Sequence, residues 1–89
     1  MVSGKTSSGF KFNVNRTVID DMRIVDAVAE VADGSNPVAI SFLVKTILGE
    51  EGKKALYEHL QEEDGRVPFT KVSNEITEIF KAFGEEGKN

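Results

Sequence analysis

Apolar residues recur along this chain with two different periods. Phe10, Phe12 and Val14 alternate with Lys11, Asn13 and Asn15, the two-residue repeat of a strand with one buried face. This is the one good strand signal. A strand cannot leave its backbone donors and acceptors unpaired away from water, so Phe10 to Asn15 implies a short hairpin with the residues before it, a strand from another subunit, or a partner protein. Local pairing is the simplest of these.

From Asp20 the period lengthens to that of a helix. Ile24, Val25, Val28 and Val31 follow at three- and four-residue spacing, with Asp20 and Asp21 at the positive end of the helix dipole and Gly34 as a left-handed exit. Ser35-Asn36-Pro37 supplies a polar cap and a proline suited to a first turn, so a second helix is expected from Pro37 to Leu48. It is apolar nearly all round (Val38, Ile40, Phe42, Leu43, Val44, Ile47, Leu48), which places it at the centre of a bundle or against another subunit. Gly49 stops it. Glu50-Glu51 opens a third helix in which Leu56, Tyr57 and Leu60 share a face while Lys53, Lys54 and Glu58 face water, and Asp64-Gly65 ends it. After Pro68, a fourth helix carries Phe69, Val72, Ile76, Ile79, Phe80 and Phe83 in a stripe close to a heptad seam, with Gly84 as its stop.

The predicted fold is therefore mainly α, a small four-helix-bundle-like domain with a short N-terminal β-strand or hairpin. Residues 1–8 read as a flexible arm, residues 9–84 as a single helical domain and residues 85–89 as a flexible polar tail. At 89 residues the chain can bury one core but not two, and oligomerisation would help to stabilise it. With 39% hydrophobic and 29% charged residues it lies well away from disordered compositions, so it should fold.

Charge and chemistry narrow the function more than the fold. A formal net charge of −4 argues against a phosphate-binding surface, which needs clustered lysine and arginine. The absence of cysteine removes disulfides, thiolate zinc sites and a thiol nucleophile. No apolar stretch has the length of a signal or a membrane span, so a cytoplasmic location is expected. Gly4-Lys5-Thr6 resembles the end of a phosphate loop but lacks the earlier glycine and preceding strand. Glu62 to Val67 has the order of a calcium loop. Aligning Gly65 with the sixth loop position, however, puts Leu60 at the first and Lys71 at the twelfth, where carboxylates are required. His59 is the single histidine and reads as a surface helical residue. No catalytic, metal-binding or cofactor-binding residues emerge, and a binding protein is expected rather than an enzyme. The binding candidates are the strand residues Phe10, Phe12 and Val14, able to add to a partner's sheet edge, and the aromatic stripe Phe69, Phe80 and Phe83, which is either core, an oligomer seam or a groove for a partner helix.

The stretch LGEEGKKALYEHLQEEDGRV from Leu48 to Val67, preceded by an acid-capped helix and an apolar helix closing at Leu48-Gly49 and followed by a helix ending near Phe83-Gly84, resembles the small tail assembly chaperones of long-tailed bacteriophages and prophages. The resemblance runs from about Ser8 to the end and lies in the order of elements and the chain's size. It implies a protein of the host bacterial cytoplasm that binds the tape measure protein and keeps it soluble until tail tube subunits polymerise around it. Such a chaperone is absent from the mature virion. It also implies a longer product, made by a programmed frameshift near the end of the short reading frame, that engages the tail tube protein. Lys88-Asn89 is compatible with a slippery codon run. Homo-oligomerisation and the absence of nucleic acid and membrane partners complete the expectation. The alternative is a small helical regulatory or protein-interaction module, with Val67 to Phe83 as a recognition helix.

Overall fold

The structure, a computed structural model, describes residues 1–86, with side chains described through Gly84. Its elements are β1 (Val2–Lys5), β2 (Lys11–Val14), a 3-10 turn (Arg16–Val18), α1 (Met22–Asp33), α2 (Ala39–Leu60) and α3 (Phe69–Glu86). The domain is mainly helical with an antiparallel hairpin at its N-terminus, as the periodicity predicts.

The hairpin pairs Val2 with Val14, Ser3 with Asn13, Gly4 with Phe12 and Lys5 with Lys11. Alternation sends Val2, Phe12 and Val14 to the core, while Ser3, Lys5, Lys11 and Asn13 face water. Gly4 stands opposite Phe12 because a Cβ there would lie 3.1 Å from the ring. Residues 2–5, expected in an arm outside the domain, thus form a strand, and Val2 is almost completely buried. Their composition is weak for a strand. The partner's alternation, and not their own, positions them.

Asp21 caps α1 with a 2.9 Å bond from the Arg23 N–H, and Gly34 closes it in the left-handed region. The next helix begins at Ala39 instead of Pro37. Asn36 is engaged elsewhere, its side-chain amide donating to Glu30 Oε1 at 3.0 Å, and Val38 stands at the cap without a side-chain bond.

The two helices expected over Pro37–Leu48 and from Glu50 are the arms of α2, bent at Gly49 (φ 74°, ψ 177°). The bend has a packing cause. At about 100° per residue, an unbroken helix would put Leu56 and Leu60 roughly opposite Ile40, Leu43 and Ile47. All five are buried, so the break turns the second arm's apolar face back toward the same core. The bend is tight enough that a Cβ on Gly52 would lie 2.7 Å from Leu48 Cβ. The second arm stops at Leu60, short of Asp64-Gly65, because Asp64 captures the Arg66 N–H and Glu62 N–H bonds the Arg66 carbonyl, building a turn in place of another helical one.

α2 is the hub. α1 and α3 both pack on it, β2 lies against it and β1 lies against α3. One core joins the hairpin to the helices through Phe12, Val14, Ile24, Leu43, Val44, Leu56, Ile76 and Ile79. α3 extends through Glu86, so Glu85 and Glu86, expected in a polar tail, belong to a helix; the rest of that tail, with Lys88-Asn89, lies outside the described residues.

Candidate functional site

Two surface features stand apart from ordinary solvated helix. The first is polar and lies where the hairpin loop meets the helices. Thr6, Ser7 and Ser8 turn the hairpin, closed by the Gly9 N–H to the Thr6 carbonyl at 2.9 Å. The loop meets two carboxylates one helical turn apart on α3. Glu75 Oε1 accepts from the Thr6 hydroxyl at 2.8 Å and from the Ser8 hydroxyl at 2.5 Å, while Glu78 accepts from the Ser7 N–H at 2.9 Å and the Ser7 hydroxyl at 2.8 Å. Glu75 is 3% exposed, so its carboxyl finds its hydrogen-bond partners in these hydroxyls and not in bulk water. The Ser7 N–H and hydroxyl hold the Glu78 carboxyl below the usual glutamate range.

His59, at the end of α2, completes this cluster. Its Nε2 lies 3.0 Å from the Ser8 carbonyl and 3.2 Å from the Ser8 hydroxyl, and its ring tilts over Phe10 at 5.7 Å. A serine, a histidine and a glutamate within one cluster invite comparison with a hydrolytic triad. The proton inventory argues otherwise. The Ser8 carbonyl can only accept, so Nε2 carries the proton, and the Ser8 hydroxyl gives its own proton to Glu75. Glu75 orients the serine and makes no bond to the second ring nitrogen, so the nucleophile, base and orienter are out of order. What the arrangement does is fasten the loop.

The second feature is apolar. Pro37, Val38, Ile40, Ser41 and Phe69 line one open depression where the start of α2 meets the start of α3. Val38 is 75% exposed and Phe69 is 47% exposed, with Phe42 exposed on the next turn of α2. Pro68 resets the chain so that Phe69 begins α3 beyond the reach of the core, and Val38 sits at a helix cap where no neighbouring element covers it.

The candidate binding residues divide accordingly. Phe10, Phe12 and Val14 are buried in the chain's own core, because β1 pairs with β2 and the hairpin closes over α2 and α3, so their side chains offer no free surface. Phe83 is buried and Phe80 half-buried. Phe69 alone of the six is exposed. Val38 and Phe42 are residues that the sequence pattern misassigns, since an apolar residue in an apolar helix reads as core.

Among the described residues no group of three His, Asp or Glu side chains is arranged to hold a metal ion, and no helix is long and apolar enough to cross a membrane. No protein-family model, no curated protein and no solved structure matches the chain.

Proposed function

We propose that this protein works by binding, as a small tail assembly chaperone of a long-tailed phage or prophage that holds the tape measure protein soluble while the tail is built. The observation that carries the reading is the exposed apolar depression around Val38 and Phe69 on a domain of formal net charge −4. An amphipathic helix of a long coiled-coil client exposes apolar positions at three- and four-residue spacing, and a shallow apolar face can cover them. Net negative charge on the remaining surface keeps the complex in solution. The order of elements that resembles this chaperone class supports the same reading, and in it the chain acts in the host cytoplasm without cofactor or metal. A longer frameshifted product that reaches the tail tube protein belongs to the same proposal.

The test is co-expression with the longest coiled-coil protein encoded beside this chain. The client is expected in the soluble fraction and to copurify, and Val38→Asp with Phe69→Asp is expected to abolish both effects while leaving the chaperone folded. A client that aggregates equally with and without the chain overturns the proposal.

A further inference from the structure

Charge is unevenly distributed along this chain. Residues 1–19 contain Lys5, Lys11 and Arg16 and no aspartate or glutamate. The next segment, residues 20–36, contains Asp20, Asp21, Asp26, Glu30 and Asp33 against the single cation Arg23. Arg23 is already taken, bound to Asp21 at 2.7 Å.

The two segments adjoin at Arg16 and Asp20, which line one depression, but the hairpin face and the helix face lie on different elements. The hairpin packs on α2 and α3, whereas α1 packs on α2. Lys5 and Lys11 lie directly opposite each other on the hairpin's outer face, a like-charge pairing that costs an isolated hairpin stability. Among the described residues, no carboxylate lies within ion-pair distance of Lys5, Lys11 or Arg16. The outward arc of α1 is the counterpart. Met22, Val25, Asp26, Ala29, Ala32 and Asp33 all fall on it and all are exposed, so it presents two large apolar side chains in its first turn and then two carboxylates, Asp26 and Asp33, separated by alanines that permit close approach.

We propose that copies of this chain associate head to tail, the basic outer face of one copy's hairpin seated on the acidic outer face of α1 in the next. The lysine pair faces Asp26 and Asp33, and the aliphatic lysine stems lie over Ala29 and Ala32 between them. A symmetric hairpin-to-hairpin contact is disfavoured because it would gather four lysines, so the contact uses two different patches and builds rings or open chains. This surface is separate from the Val38–Phe69 depression, and the inference stands whether or not that depression binds a client.

Sedimentation of the full chain tests it. Wild type is expected to assemble at low salt and to become monomeric near 1 M salt, where the Debye length falls to about 3 Å. Lys5→Glu with Lys11→Glu, and separately Asp26→Lys with Asp33→Lys, should each be monomeric, because each then opposes like charges. An equimolar mixture of the two should regain assembly, since every new contact again pairs opposite charges. The neutral variants Lys11→Ala and Asp26→Ala should keep the fold and each weaken association about two- to five-fold, the scale of an exposed ion pair. A wild type that is monomeric at low salt, assembly that survives both reversals, or a mixture that stays monomeric overturns the proposal. So does duplex DNA binding that depends on Lys5 and Lys11 without self-association, which would give the basic face to phosphate.

Discussion

The Thr6 hydroxyl donates to Glu75 Oε1 at 2.8 Å, joining the hairpin loop to α3 across 69 positions of sequence. The same hydroxyl accepts from the Phe10 N–H at 3.2 Å, so one side chain serves both the turn and the docking. The consequence is a hairpin held by polar bonds at its tip and by apolar burial along its strands.

Glu75→Ala should therefore destabilise the fold by about 1–3 kcal/mol, the cost of leaving buried hydrogen-bonding groups without partners. Thr6→Val should act in the same direction, since it strips a donor from Glu75 and an acceptor from Phe10. Urea unfolding of each variant beside wild type measures the loss, and a midpoint unchanged in both would remove the loop's assigned role.

At Gly49 the backbone lies in a region that is essentially restricted to glycine, and nothing crowds the position from outside. Gly49→Ala should cost about 1–3 kcal/mol through backbone strain alone. Gly52→Ala should also destabilise, for the different reason that its Cβ meets Leu48. Thermal melting of the two single variants separates these effects from wild type. A neutral Gly49→Ala would mean that α2 does not need its bend.

Acid should loosen the hairpin loop. Glu78 has a folded-state pKa below its ordinary value of 4.5 because the Ser7 N–H and hydroxyl bind its ionised form. A depressed carboxylate contributes stability that is present above the unfolded value and is lost as pH falls through the lower folded value. Stability should thus decline below about pH 4.5. Glu78→Gln should show a shallower decline over that window. Denaturant midpoints followed from pH 7 downward provide the readout, and parallel curves for the two proteins would contradict the assignment.

Two phenylalanines on α3 should behave oppositely. Phe83 is 2% exposed, so Phe83→Ala should cost about 3–5 kcal/mol as an aromatic deletion from a packed core. Phe69→Asp, at a position 47% exposed, should change stability by no more than about 0.5 kcal/mol. If client binding is also measured, the second variant should lose it while the protein remains folded. A large loss of stability from Phe69→Asp would place that ring in the core instead.

Local pattern was enough to identify β2, α1, the two arms of α2, α3 and the stop signals at Gly34 and Gly49, because period and glycine punctuation are properties of neighbouring residues. The local pairing expected for β2 is present, but its partner Val2–Lys5 carries no strand signal of its own and reads as an arm. The same pattern places the turn at Asp64-Gly65 correctly but runs the preceding helix up to it, whereas α2 ends at Leu60.

The surfaces were less legible. Phe69 belongs to a sequence stripe whose other members are buried or half-buried, and only its place at the first residue of α3 leaves it in water. Ser7 and Ser8 looked like solvated arm residues, yet they bond carboxylates that lie far along the chain.

What the sequence by itself determined is the set of amphipathic pieces, the acidic balance and the lack of a thiol, since each follows from residue identity and short-range spacing. Tertiary structure alone decided which apolar residues are spent on the core and which remain outside. It also decided that Thr6, Ser8, His59 and Glu75 meet at one point. The physical reason is that burial and hydrogen bonding between distant segments depend on how the bend at Gly49 aims two helix arms, a relation that no local window of sequence contains.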